Sequence, residues 1–155
     1  MIAFVGGRSG QGWQIYTMAG DGTGLRCLTG AFPPRQAAFY DPVWSPDGRS
    51  LAFTLKEQIL SPHSRACTIT LDDKEVHYLT AREGSVYVQR WLSNGSIVYK
   101  EETLGPGESD SYLCLMRGDG SEQRRTFHLS RYRGGTMRQA AIAAQWFPRM
   151  GARSP

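Results

Sequence analysis

A tryptophan followed by a tight turn and a short apolar strand occurs twice in this chain, and a third tryptophan keeps the spacing. Trp44-Ser45-Pro46-Asp47-Gly48 leads on to Leu51-Ala52-Phe53, and Trp91-Leu92-Ser93-Asn94-Gly95 leads on to Ile97-Val98-Tyr99. Trp146 follows, ahead of Phe147-Pro148-Arg149-Met150-Gly151. The three tryptophans stand 47 and 55 residues apart. A repeat of that length confines the chain to modules that bury their apolar faces against one another, since one short module cannot bury its own.

The local chemistry of each module is that of a hairpin. Pro46 pre-sets φ for the second turn position, Asp47 can accept from the local backbone, and Gly48 accepts positive φ. Two further markers recur. Gln14-Ile15-Tyr16-Thr17-Met18, Ala66-Cys67-Thr68-Ile69-Thr70 and Tyr112-Leu113-Cys114-Leu115-Met116 each enter a turn rich in Asp or Gly. Alternating strands that run into such turns read as hairpins. Arg26-Cys27-Leu28-Thr29 and His77-Tyr78-Leu79-Thr80 close the first two units, and Arg124-Arg125-Thr126-Phe127 is a degraded third copy. Four short strands per unit, at a period of about 40–55 residues, are the signature of a β-propeller blade.

The wording 41–53 (Asp-Pro-Val-Trp-Ser-Pro-Asp-Gly-Arg-Ser-Leu-Ala-Phe) closely resembles the TolB-type, WD40-like β-propeller repeat. So does Trp13-Gln14-Ile15-Tyr16-Thr17-Met18, running on through Asp21-Gly22-Thr23-Gly24 to Leu28-Thr29. The match is strong over residues 2–55, partial over 65–100 and faint after Asp119. The expected fold is all-β, a partial propeller of three four-stranded antiparallel blades, or half of a six-bladed TolB-like ring. The expected domain covers 1–146, with blade parts at 1–29, 41–80 and 86–129 and a lone strand near 139–146. Residues 147–155 are expected as a frayed tail. Met137 to Gln145 is rich in helix formers, and only the register of Trp146 makes that stretch a strand.

Three blades do not enclose a channel. Two readings follow from this. Two chains form one ring as a homodimer, each lending its strand near Ala141–Trp146 to the other's first blade. Alternatively, the sequence is a piece of a longer propeller with open edges.

Composition narrows the function. Seven of the 18 basic residues lie after Gln123, where there is no carboxylate, so the first 122 residues hold 11 basic against 14 acidic groups. Basicity confined to one end reads as a tail rather than a nucleic-acid site. No apolar run reaches the length of a membrane span, and Met1 to Gly6 lacks the form of a signal peptide. A complete chain is therefore expected in the cytoplasm, and a piece of a TolB-like protein in the periplasm. Cys27, Cys67 and Cys114 are too scattered for a disulfide framework. His63, Cys67, His77, Cys114 and His128 lack metal-ligand spacing, so no metal or other cofactor is expected. Asp21, Asp47 and Asp119 read as turn formers. Asn94-Gly95-Ser96 fits a glycosylation acceptor but equally forms the turn of its hairpin. No nucleophile elbow or phosphate loop is present, and no catalytic residue is assigned.

In a blade of four antiparallel strands, the first–second and third–fourth turns share one end. The longer connections, 6–12, 31–38, 56–64, 81–85, 101–110 and 130–139, share the other. Long loops on a rigid scaffold are where binding residues gather. Phe32, Arg35, Phe39, Tyr40, Arg65, Tyr87, Tyr132 and Arg133 are the candidate partner-binding residues there, being aromatic and arginine groups of the kind that dominate protein interfaces. Trp44, Trp91 and Trp146, fixed at the end of the innermost strands, read as packing groups rather than ligand-stacking groups. The resemblance implies a non-enzymatic scaffold that binds protein partners in the bacterial envelope. It also allows an enzyme-associated alternative, a propeller beside a prolyl-oligopeptidase-like hydrolase or a polysaccharide lyase.

Overall fold

The turns set the framework. In Ser45–Gly48 the Gly48 N–H donates to the Ser45 carbonyl (2.9 Å), and the Ser45 N–H donates to the Ser50 carbonyl (2.9 Å). The Asp47 carboxylate accepts from the Ser45 hydroxyl (2.6 Å) and the Arg49 N–H (3.0 Å). A similar pair of backbone bonds closes the turns that begin at Ala19, Leu92 and Arg117, where the first N–H reaches the carbonyl four residues on instead of five, each with a glycine of positive φ as the fourth residue. Lys74 (φ 56°), three residues after Leu71, stands at the repeat position where these four turns have glycine.

The computed structural model describes residues 1–7, 12–30, 37–72, 74–81, 84–105 and 108–133. They form eleven strands and, among the described residues, no helix. The first antiparallel sheet holds β1 (Ile2–Gly7), β2 (Trp13–Met18) and β3 (Arg26–Cys27). The second holds β4 (Ala38–Trp44), β5 (Ser50–Lys56), β6 (Arg65–Thr70) and β7 (Val76–Tyr78). The third holds β8 (Ser85–Trp91), β9 (Ser96–Gly105), β10 (Glu108–Arg117) and β11 (Arg124–Arg133). Each sheet follows chain order. The lone strand expected near 139–146, Trp146 and the tail lie outside the described residues.

The middle sheet is buried on both faces, and its sequence shows how. In β5 the large residues Leu51, Phe53 and Leu55 pack with Ile15 and Leu28 of the first sheet. The small Ala52 turns to the other side and joins Val86, Val88, Ile97, Tyr99, Cys114 and Met116 of the third. Thr54 lies on that side too, where its hydroxyl accepts the Val88 N–H at 2.9 Å. Period-2 alternation in β5 therefore sets a large face against the first sheet and a smaller one, with Ala52 and Thr54, against Val88, Ile97 and Tyr99 of the third. Trp44 packs on the first core cluster and Trp91 on the second. The Trp91 ring also covers Gly118, where an added Cβ would come within 2.7 Å of Cζ2.

The recurring Leu-Thr pair has a specific task. Leu28 and Leu79 donate their N–H groups to the carbonyls of Ile15 and Ala66. Thr29 Oγ1 and Thr80 Oγ1 then accept the N–H groups of those same two residues, both at 3.0 Å. A side chain thus completes the ladder and ends the outer strand after two or three residues. In the third copy the pair is Thr126-Phe127, and the strand does not end. β11 continues for ten residues beside β10, which pairs with β9 as far as Glu108–Gly105. The connection expected at 101–110 is therefore mostly strand, as is 130–133, because a glycine- and proline-marked tip joins two segments that go on pairing.

Candidate functional site

The connections between β1 and β2, β5 and β6, and β7 and β8 emerge at one end of the sheets, opposite the tight turns. Three of the sequence-derived candidates stand at this end: Tyr40 in β4, Arg65 at the start of β6 and Tyr87 in β8, all half-buried. Arg65 is largely committed within its own sheet. Its guanidinium lies 3.8 Å from the Tyr78 ring centroid, donates to the Thr80 carbonyl (3.1 Å) and pairs with Glu57 (3.4 Å). Tyr87 sits beside Lys100, which is paired with Glu102 at 2.5 Å. Burial pushes the Tyr87 hydroxyl up, with smaller contributions from Glu102 and Asp41. Asp41 follows Tyr40 in a bulge of β4 at φ 52°, so the inner strands β4 and β8 bring Tyr40, Asp41 and Tyr87 into one neighbourhood. Arg65, two strands further out, is not part of it.

Phe39 is a correction. It is fully buried and packs on Phe53 at 5.6 Å between ring centroids, so it belongs to the core and offers no contact surface. Phe32 and Arg35 lie outside the described residues. Tyr132 and Arg133 are the last two residues of β11, in register with Ser109 and Glu108.

The long-connection end also carries apolar groups not singled out from the sequence. Leu60 is 95% exposed and Ile59 44% in the β5–β6 connection, and Trp13, the first residue of β2, is 51% exposed. An apolar pair inside a polar connection, Gln58-Ile59-Leu60-Ser61, was the available signal. Trp13 stands at the repeat position that Ser64 fills in the second sheet, so the departure from the repeat was the signal there.

The ionisable groups elsewhere are spent on structure. Asp21, Asp47 and Asp119 hold their turns, and the hydrogen bonds from Thr23, Ser45 and Ser121 keep their carboxyls below the usual range. Asn94 accepts the Ser96 N–H at 3.0 Å, as the turn reading requires. Burial pushes the Cys67 thiol up to about 12 and the Cys114 thiol up to about 11. Both are inert as nucleophiles at neutral pH. Among the described residues, no three His, Cys, Asp or Glu side chains gather as a metal site.

No protein-family description matches the chain, and no curated protein does. Solved structures do. A protein assigned as TolB from Agrobacterium tumefaciens superposes with a TM-score of 0.65 at 20% identity, over 85% of this chain and 47% of that one. TolB from Acinetobacter baumannii superposes with a TM-score of 0.57 at 14% identity, over 74% of this chain and 26% of that one. The fold is a TolB-like β-propeller. Its three sheets are blades, and the chain spans about half the length of the first relative and a quarter of the second.

Among the described residues, one face of each terminal blade has no further sheet packed on it. The first blade shows Ile2, Phe4, Tyr16 and Met18, with Phe4 and Tyr16 stacked at 5.8 Å. These are its large face, since Phe4 and Tyr16 hold the positions of Phe53 and Cys67. The third blade shows Tyr87, Val98, Lys100, Leu113, Leu115 and Phe127, with Val98 at the position of Ala52. That face is the counterpart of the Ala52 side of the middle blade.

Proposed function

We propose that this chain is a non-enzymatic TolB-like scaffold that binds a protein partner through the long-connection end of its blades. The observation that carries this is the exposure of Leu60, Ile59 and Trp13 there, at the same end of the sheets as Tyr40 and Tyr87. Large apolar groups held out on a rigid frame lose little on docking and gain the burial of their surface. A bacterial envelope setting, periplasmic for a piece of a TolB-like protein, goes with the repeat resemblance. No observation favours the enzyme-associated alternative over this one.

A photo-crosslinking residue at position 60, compared with one at Gly22 among the tight turns, tests the surface in extract of the source cell. One product from position 60, absent from position 22 and lost on Ile59→Asp, is the expected result. Equal products from both positions, or none from position 60, overturn the proposal.

A second reading concerns a second copy. The face left open on the first blade corresponds to the Leu51–Phe53 side of the middle blade, and the face left open on the third to its Ala52 side, the two sides used at the seams inside the chain. A homodimer that joins them at both ends completes a six-bladed ring from two half-length chains. The strand near 139–146 that was expected to complete the neighbour's first blade lies outside the described residues.

A further inference from the structure

The outer strand of the third blade is unlike the other two. β3 and β7 are two and three residues long and are closed by Thr29 and Thr80. β11 is ten residues long and lacks that closure. It is the edge of its sheet, so every second backbone N–H and C=O along it points away from β10, and such a row is a template for another strand. Residues 124–130 of this strand are exposed except for Leu129, which is half-buried.

Its charge pattern selects what pairs with it. Two bulges against β10 set Arg125, His128, Arg131 and Arg133 opposite Cys114, Tyr112, Asp110 and Glu108, in one register column. The Arg125 guanidinium pairs with Glu101 through two bonds (2.8 and 3.3 Å) and lies 4.3 Å from the Tyr112 ring centroid. His128 pairs with Asp110 (3.2 Å) and lies tilted beside the same tyrosine (4.9 Å between ring centroids). This face is therefore acidic on β9 and β10 and basic on β11. The column that matches β11 on its outer side is acidic, since opposite charges on neighbouring strands stabilise a pair and like charges destabilise it. Arg125 has donors beyond the two spent on Glu101. The other register column holds Arg124, Phe127, Ser130 and Tyr132, with Phe127 41% exposed. From Gln123 to Arg133 there is no carboxylate.

We propose that the edge of β11 is a docking site for an extended acidic segment of a partner protein, which adds to the third blade as a fifth strand. The segment carries Asp or Glu at alternate positions, facing Arg125, His128, Arg131 and Arg133, with apolar or β-branched residues between them. This surface runs along the edge of the third blade and does not include Leu60, Ile59 or Trp13, and the two proposals fail independently.

The test uses the full chain and fluorescein-labelled ten-residue peptides read by anisotropy. One peptide alternates Glu and Val, a second alternates Lys and Val, and a third is the Glu–Val peptide N-methylated at every second residue. Saturable binding of the Glu–Val peptide is expected, with at least tenfold weaker binding of the other two. Arg131→Glu should weaken it at least fivefold, while Arg26→Glu on β3 leaves it unchanged, both variants keeping the far-ultraviolet spectrum of the parent. Amide exchange within 124–133 should slow on binding. Equal binding of the N-methylated peptide would reduce the effect to charge without strand pairing. That result, equal binding of the Lys–Val peptide, or no binding of any of them overturns the proposal.

Discussion

Thr80 takes the place of a backbone carbonyl. Its buried hydroxyl accepts the Ala66 N–H, and a valine of the same shape would leave that N–H buried without an acceptor. Thr80→Val should therefore cost about 1–3 kcal/mol, read from urea denaturation, while Thr80→Ser keeps most of the stability. A loss under about 0.5 kcal/mol would mean that another acceptor replaces the hydroxyl. The recurrence of Leu-Thr was legible in the sequence, but its reason was not, because the bond joins residues 14 apart. Phe39 shows the converse limit. An aromatic two residues into an inner strand reads as surface by position, and only the burial of the middle blade on both faces makes it core. Turn residues, by contrast, were legible outright, since Asp47, Asp119 and their glycines act within five residues of sequence.

Strand length in the third blade follows from the missing closure. Replacing Thr126-Phe127 by Leu-Thr should restore a short outer strand. In that variant, hydrogen exchange at residues 128–133 should quicken at least tenfold, while exchange in β8 and in the first half of β9 stays as it was. If residues 128–133 keep their protection, the bulges and the Glu101–Arg125 and Asp110–His128 pairs hold the ribbon by themselves. Glu101-Glu102-Thr103-Leu104-Gly105-Pro106 reads as a loop because glycine and proline punctuate it. The pairing partners that make it strand lie in β10 and β11, up to 24 residues away, and no local pattern reports them. Strand order within each blade was readable for the opposite reason: neighbours in sequence are neighbours in the sheet.

The whole molecule is asymmetric along its blades, with the Phe4 side open at one end and the Val98 side at the other. If two copies close on each other, purified protein should have a solution mass of two chains at micromolar concentration. Leu113→Lys, which puts a charge on the open face of the third blade, should shift it to one chain without loss of strand content. A parent protein that stays at one chain rules the two-copy ring out. The alternation that produces this asymmetry, Leu-Ala-Phe in β5 against Ile-Ala-Phe in β1 and Ile-Val-Tyr in β9, was visible as a repeat. Which side of each strand met its neighbour was not. A consequence concerns how such a chain can change over generations. Because every blade brings one half of a seam on each side, a tandem duplication of residues 38–84 inserts a unit that fits both neighbours with interfaces already tried. Blade number is then free to drift by copying and deletion, while the order of the two sides along the polypeptide cannot reverse.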